Sequence, residues 1–147
     1  MAYQAKRKTV YTEEFELAEE DGTVFRTLHV SLDPDSVVTR LSEKHVALVK
    51  ALQNVQGVRQ TSSEEEKARG IEVLGCAVVD ILEAVFGKED TKVITDFYSN
   101  RYIEMCQEVV PFITGVVIPQ VRKMARQNRK LVMAQYRRQK SPFLKAL

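Results

Sequence analysis

The sequence predicts an α+β chain that is mainly α: an N-terminal β-hairpin, then a compact helical domain of about four helices, the last long, basic and interrupted by proline. Three observations carry this. An Asp-Gly pair separates two β-rich runs within residues 10–32, apolar residues recur every three or four positions from residue 34 onward, and Pro111 and Pro119 cut into the final helical pattern. At 147 residues, 44% hydrophobic and 29% charged, the chain has the composition of one globular domain large enough to fold without disulfides or metal.

The elements follow in order. VYTEEFEL at residues 10–17 is rich in β-formers, and Val24, Arg26, Leu28, Val30 and Leu32 share one face at period two. Asp21-Gly22 between them supplies the positive φ angles of a tight turn. A lone hairpin is marginal in water, so its apolar face must pack on helices or on a neighbouring chain. Asp33 and Pro34 open a helix at 34–56, since Asp caps free N–H groups and Pro in the first turn has no N–H to lose. Gly57 closes it, and residues 57–62 form a loop. Ser63 and Glu66 have the spacing of a capping box for a second helix at 63–86, which Gly87 ends. A short third helix spans 91–99 and breaks near Ser99-Asn100; a fourth runs from about Arg101 to 139, interrupted by a kink or short break between Val110 and Pro119. The core is expected to hold Leu41, Leu48, Leu52, Ile71, Leu74, Val78, Ile81 and Val85.

Residues 1–140 thus form a single domain: hairpin 10–32, helical body 34–110, basic helical arm 119–140; the closing residues 141–147 are expected to be a mobile tail. MAYQAKRKTV has no apolar stretch behind its basic residues and no 18 apolar residues run together, so neither secretion nor a membrane span is expected. Two cysteines, Cys76 and Cys106, fit a reducing cytoplasm and exclude a disulfide scaffold or a four-cysteine zinc site.

No motif for chemistry emerges. His29 and His45 have no Cys, Asp or Glu at a metal-site spacing, Cys76 and Cys106 read as small hydrophobes on apolar helices, and Glu64-Glu65-Glu66 suits a helix N-terminus without any acid-base role. The six glycines are dispersed, so no phosphate loop exists. The chain is therefore expected not to be an enzyme and to need no metal or cofactor.

Charge is the informative feature. The net +2 conceals 13 Lys and Arg against 20 Asp and Glu in residues 1–108, a net −7, while residues 109–147 hold the other nine cations and no acid. The candidate partner-binding residues are those of the basic arm: Arg122, Lys123, Arg126, Arg129, Lys130, Arg137 and Arg138. Val121, Met124, Ala125, Leu131, Val132 and Tyr136 occupy its remaining faces. Such a basic amphipathic helix suits nucleic acid phosphates, an anionic membrane surface, or an acidic or amphipathic protein partner. With one aromatic before Phe143, base stacking is not expected, and the acidic body repels nucleic acid.

Three stretches, Ser31-Leu32-Asp33-Pro34, the run from Ile81 through Phe86-Gly87 to Thr91, and Tyr136-Arg137-Arg138-Gln139-Lys140 closing a basic helix, give a pattern across residues 24–140. The pattern resembles the tail assembly chaperones of long-tailed phages and prophages of Gram-positive bacteria. In that family a short β segment leads into a helical body, the second long helix ends in a Phe-Gly turn, and a further helix finishes in a basic tail. The resemblance implies a non-catalytic protein of the host cytoplasm that coats the apolar helices of the tape measure protein, helps recruit tail tube subunits and forms homo-oligomers. A structural virion or assembly protein retained in the particle is the first alternative; a nucleic-acid-binding module acting through the arm is the second.

Overall fold

A computed structural model describes residues 2–7, 10–57 and 63–146, and of residues 139–146 the backbone alone. The chain is mainly helical, with an antiparallel two-stranded hairpin at its N-terminal end. Strands β1 (Tyr11–Ala18) and β2 (Val24–Leu32) pair from Tyr11↔Leu32 to Leu17↔Arg26, after which a bulge shifts Ala18 opposite Val24. Gly22, at φ 89°, turns the chain, and the Asp21 carboxylate accepts the Thr23 N–H at 2.9 Å. That hydrogen bond holds the Asp21 carboxyl below the usual carboxylate range.

Alternation puts Tyr11, Leu17, Leu28 and Val30 into the core, with Phe15 and Leu32 packed beside them. The predicted face is thus apolar only over its second half, because Val24 and Arg26 at the bulged end are exposed.

Helix α1 (Pro34–Gly57) starts where expected: the Asp33 carboxylate accepts the Asp35 N–H at 3.3 Å and the Asp33 carbonyl accepts the Val37 N–H at 3.1 Å. The predicted loop lies, from residue 58 to 62, outside the described residues. Helix α2 (Glu64–Phe97) is capped by Ser63, whose Oγ accepts the Glu66 N–H at 3.1 Å.

Two predicted helices merge here. Gly87 adopts φ 81° and ψ 170°, a conformation open to a residue without Cβ, and helical bonding resumes directly after it. Helical geometry thus stops at Gly87 as the sequence predicts, but the next helix follows without the expected gap to residue 91, so that α2 is two helices joined at a kink. The true end comes at Ser99 and Asn100, both at positive φ, where Ser99 N–H bonds to the Asp96 carbonyl and Asn100 N–H to the Thr95 carbonyl. This is the paired closure of a Schellman motif, built without glycine.

The C-terminal part is a single bent rod. Helix α3 (Tyr102–Glu108) passes through Val109 into the short α4 (Val110–Phe112), a π-helical turn (Ile113–Val117) and α5 (Ile118–Ala146). Of the kink or short break expected between Val110 and Pro119, the structure has the kink, as a bend. Pro111 sits in the first turn of α4 and Pro119 in the first turn of α5, and the Ile118 N–H reaches back five residues to the Ile113 carbonyl, so the chain stays helical across both.

Among the described residues the body thus counts three long helices, the third bent, where the sequence suggests about four. Backbone helix continues to Ala146, past the boundary expected at residue 140; Leu147 lies outside the described residues.

The core lies between α1, α2, the bent rod and the inner face of the hairpin. Leu41, Leu48, Leu74, Val78, Ile81 and Val85 are buried as expected. Leu52 is half-buried, and Ile71 is 41% exposed because it sits at the rim beside Tyr102 and Ile103, near the start of α2. Phe15, Phe86 and Phe112 form an aromatic knot joining β1, α2 and α4, with ring centroids 4.8–6.1 Å apart. Among the described residues no helix is long and apolar enough to cross a membrane.

Candidate functional site

The seven predicted basic residues all lie on α5, and two polar contacts fix how that helix sits. Arg122 Nη2 donates to Ser42 Oγ at 3.4 Å, and Asn128 Nδ2 donates to Asp35 Oδ2 at 3.1 Å. Rising residue numbers on α5 thus meet falling numbers on α1, so the two helices are antiparallel, and Asn128 lies level with the first turn of α1. Up to that point α5 belongs to the core: Ile118, Val121 and Ala125 are buried and Met124 is packed against them.

Beyond Asn128 the body ends and the helix does not. Every residue from Arg129 to Arg138 is exposed, a rise of about 15 Å for ten helical residues. At 100° per residue Val132 falls within about 20° of Val121 and Ala125, and Leu131 within about 20° of Met124. The stripe buried against α1 therefore runs on, and its continuation leaves Leu131 and Val132 56% and 57% exposed.

The opposite side is cationic. Arg122, Lys123, Arg126, Arg129, Lys130 and Arg137 fall within one arc of about 120°, and Arg138 lies off it by helical geometry. Arg126, Arg129, Lys130 and Arg137, with Met133 and Ala134, line a shallow depression of about 520 Å³. Arg122 is the member tied back to the body, through Ser42. Among the described residues no ion pair joins any of the seven to a carboxylate.

Neither a protein family, nor a curated protein, nor a solved structure matches this chain.

The remaining polar candidates are scattered. His29 faces solvent 3.8 Å from Glu14, and His45 is half-buried on α1. Cys76 is exposed, a correction to its reading as a small hydrophobe: it lies on the side of α2 away from the buried Leu74, Val78 and Ile81. Cys106 is half-buried, and burial pushes its thiol above the usual range. Among the described residues no three His, Cys, Asp or Glu side chains group as metal ligands do.

The basic stripe is legible in the sequence. The sequence places Leu131 and Val132 only among the arm's remaining faces, since their exposure depends on where α1 begins, and that is set by tertiary contact. The signal that could have found them is the apolar stripe itself, which outruns the length of its partner helix.

Proposed function

We propose that this chain is a non-catalytic assembly chaperone of the phage-tail type, acting in the host cytoplasm by holding apolar helices of the tape measure protein and helping to recruit tail tube subunits. One observation carries the reading: α5 leaves the body at Asn128 with both faces continued, an apolar seam of helix-packing geometry and a cationic flank. A partner helix laid along that seam takes the place α1 occupies one turn earlier, so the contact repeats packing the chain already uses. The cations add selectivity for segments with carboxylates flanking the apolar stripe.

The test is co-expression with the tape measure protein encoded beside it. With the wild-type chain the tape measure protein stays soluble and co-purifies; with Leu131→Asp and Val132→Asp together, recovery falls by about tenfold or more, the effect of losing at least about 1.4 kcal/mol of binding. Failure to co-purify at all overturns the reading. Stoichiometric presence of the chain in purified particles replaces it with the retained structural protein.

A further inference from the structure

We propose that the outward face of the arm is a second binding surface, separate from the apolar seam, and that it takes an acidic helical segment of a protein in which one apolar residue stands between carboxylates a turn away on either side. The angular layout of α5 separates the two surfaces. At 100° per residue Arg126, Lys130, Met133 and Arg137 each lie about 100–160° round the helix from both Leu131 and Val132. Of the cations lining the depression, Arg129 alone lies near enough to flank the seam, about 60° from Val132. A helix held in the seam therefore leaves the other face open, and the arm can serve two partners at once; that consequence rests on the seam reading, whereas the surface itself does not.

The composition of that face points to its ligand. Met133, 45% exposed, falls within the cationic arc, with Arg126, Arg129 and Lys130 seven, four and three residues before it and Arg137 four residues after it. Residues at these spacings share a helix face, so one exposed apolar side chain is ringed by four cations, and all five line the same depression. Among the described residues no ion pair joins any of the four to a carboxylate. The rise from Lys130 to Met133 is about 4.5 Å and from Met133 to Arg137 about 6 Å. The complement is an apolar residue with a carboxylate three or four residues to each side, which a single amphipathic helix presents on one face.

Two features favour a protein segment over a nucleic acid backbone. A phosphate backbone is charged at every step and offers no apolar side chain to cover Met133. The cations also end with the arm: Arg126 to Arg137 is a rise of about 16–17 Å. At the arm's root Asn128 is bonded to Asp35, and residues 1–108 carry 13 cations against 20 acids, a net −7. A polyanion long enough to run past the arm meets that acidic body and is repelled, whereas a helical segment of about a dozen residues, about 18 Å long, is matched to the arm.

The experiment is fluorescence anisotropy of a labelled synthetic peptide titrated with the full chain, without any tape measure protein, so that its outcome is independent of the seam reading. The peptide is an alanine-based helix of about 15 residues with one central Leu and Glu three and four residues to each side of it. At about 50 mM salt it should bind with a Kd of about 10–100 μM, weakening about tenfold or more at about 300 mM salt. Arg126→Glu, Lys130→Glu and Arg137→Glu together should abolish binding. Met133→Ser should weaken it about threefold or more, and so should replacing the peptide's central Leu by Ser. Leu131→Ser with Val132→Ser, which disables the seam without adding charge, should bind the peptide as the wild type does. A peptide that stays unbound at about 300 μM chain in low salt overturns the proposal. So does indifference to both Met133→Ser and loss of the peptide's Leu while the variants keep wild-type helix content, which leaves charge alone. Tighter binding of a duplex RNA of about 20 base pairs than of the peptide at about 150 mM salt overturns it as well, and makes the face a phosphate site.

Discussion

Tyr11 opens β1 almost fully buried, with its hydroxyl donating to Glu13 Oε2 at 3.3 Å. Burial first, then the neighbouring Glu13 carboxylate, pushes its pKa up to about 12. The folded chain therefore holds this proton more tightly than the unfolded one. The contribution to stability is complete below about pH 10 and is lost as pH rises toward 12, by at most about 2.7 kcal/mol for two units. Burial, with Glu108 and Glu104, shifts Tyr98 the same way. Urea unfolding at pH 9 and pH 11 should show the wild type losing more stability across that interval than Tyr11→Phe. Gly75 makes a second residue-scale case. A Cβ there would stand 2.6 Å from a ring carbon of Tyr102, so the close approach of α2 and α3 depends on a missing side chain. Gly75→Ala gains up to about 1 kcal/mol of helix propensity and forces Tyr102 to move, at a cost of about 1–3 kcal/mol. The expected net result is a lower denaturant midpoint, relieved in Gly75→Ala combined with Tyr102→Ala. Leu74 beside it is fully buried, and Leu74→Ala should cost about 2–5 kcal/mol in the same assay.

At the scale of elements, what was legible is what local chemistry decides. Asp33-Pro34, Ser63 with Glu66, Asp21-Gly22 and Ser99-Asn100 act through hydrogen bonds to backbone within five residues, and each marks the boundary the structure has. Gly87 and the two prolines are legible as irregularities, and what the sequence leaves open is how the chain continues after them. Whether a glycine at positive φ ends a helix or kinks it depends on whether the next turn has something to pack on, and here Ile94 is buried and Phe97 lies on Phe25 at 5.2 Å. Likewise the π-helical turn decides between the kink and the short break that the two prolines leave open. The aromatic knot is the element-scale consequence no periodicity displays, since Phe15, Phe86 and Phe112 come from three distant segments. It anchors the hairpin to the helices. Phe15→Ala should therefore cost about 2–3 kcal/mol, below the fully buried range because Phe15 is only partly buried, and the hairpin amides should lose more hydrogen-exchange protection than those of α1.

For the whole molecule, the division that matters is between a body that carries the stability and an arm that carries the cationic surface. Ile118, Val121 and Ala125 bury apolar surface against the body, whereas no residue from Arg129 to Arg138 is buried. Since stabilisation follows apolar area removed from water, the exposed half of α5 contributes little to the folding of one chain. Its helicity is sustained by propagation from the anchored first half, each further residue adding one hydrogen bond to an existing helix without a new nucleation step. Ending the chain after Asn128 should therefore leave the urea midpoint of the dilute protein at moderate salt within about 0.5 kcal/mol of wild type. The far-ultraviolet helix signal should drop together with it, in proportion to the helical residues removed. A large fall in stability would show that the arm folds back on the body of its own chain, and would place its apolar stripe in the core instead of at an interface.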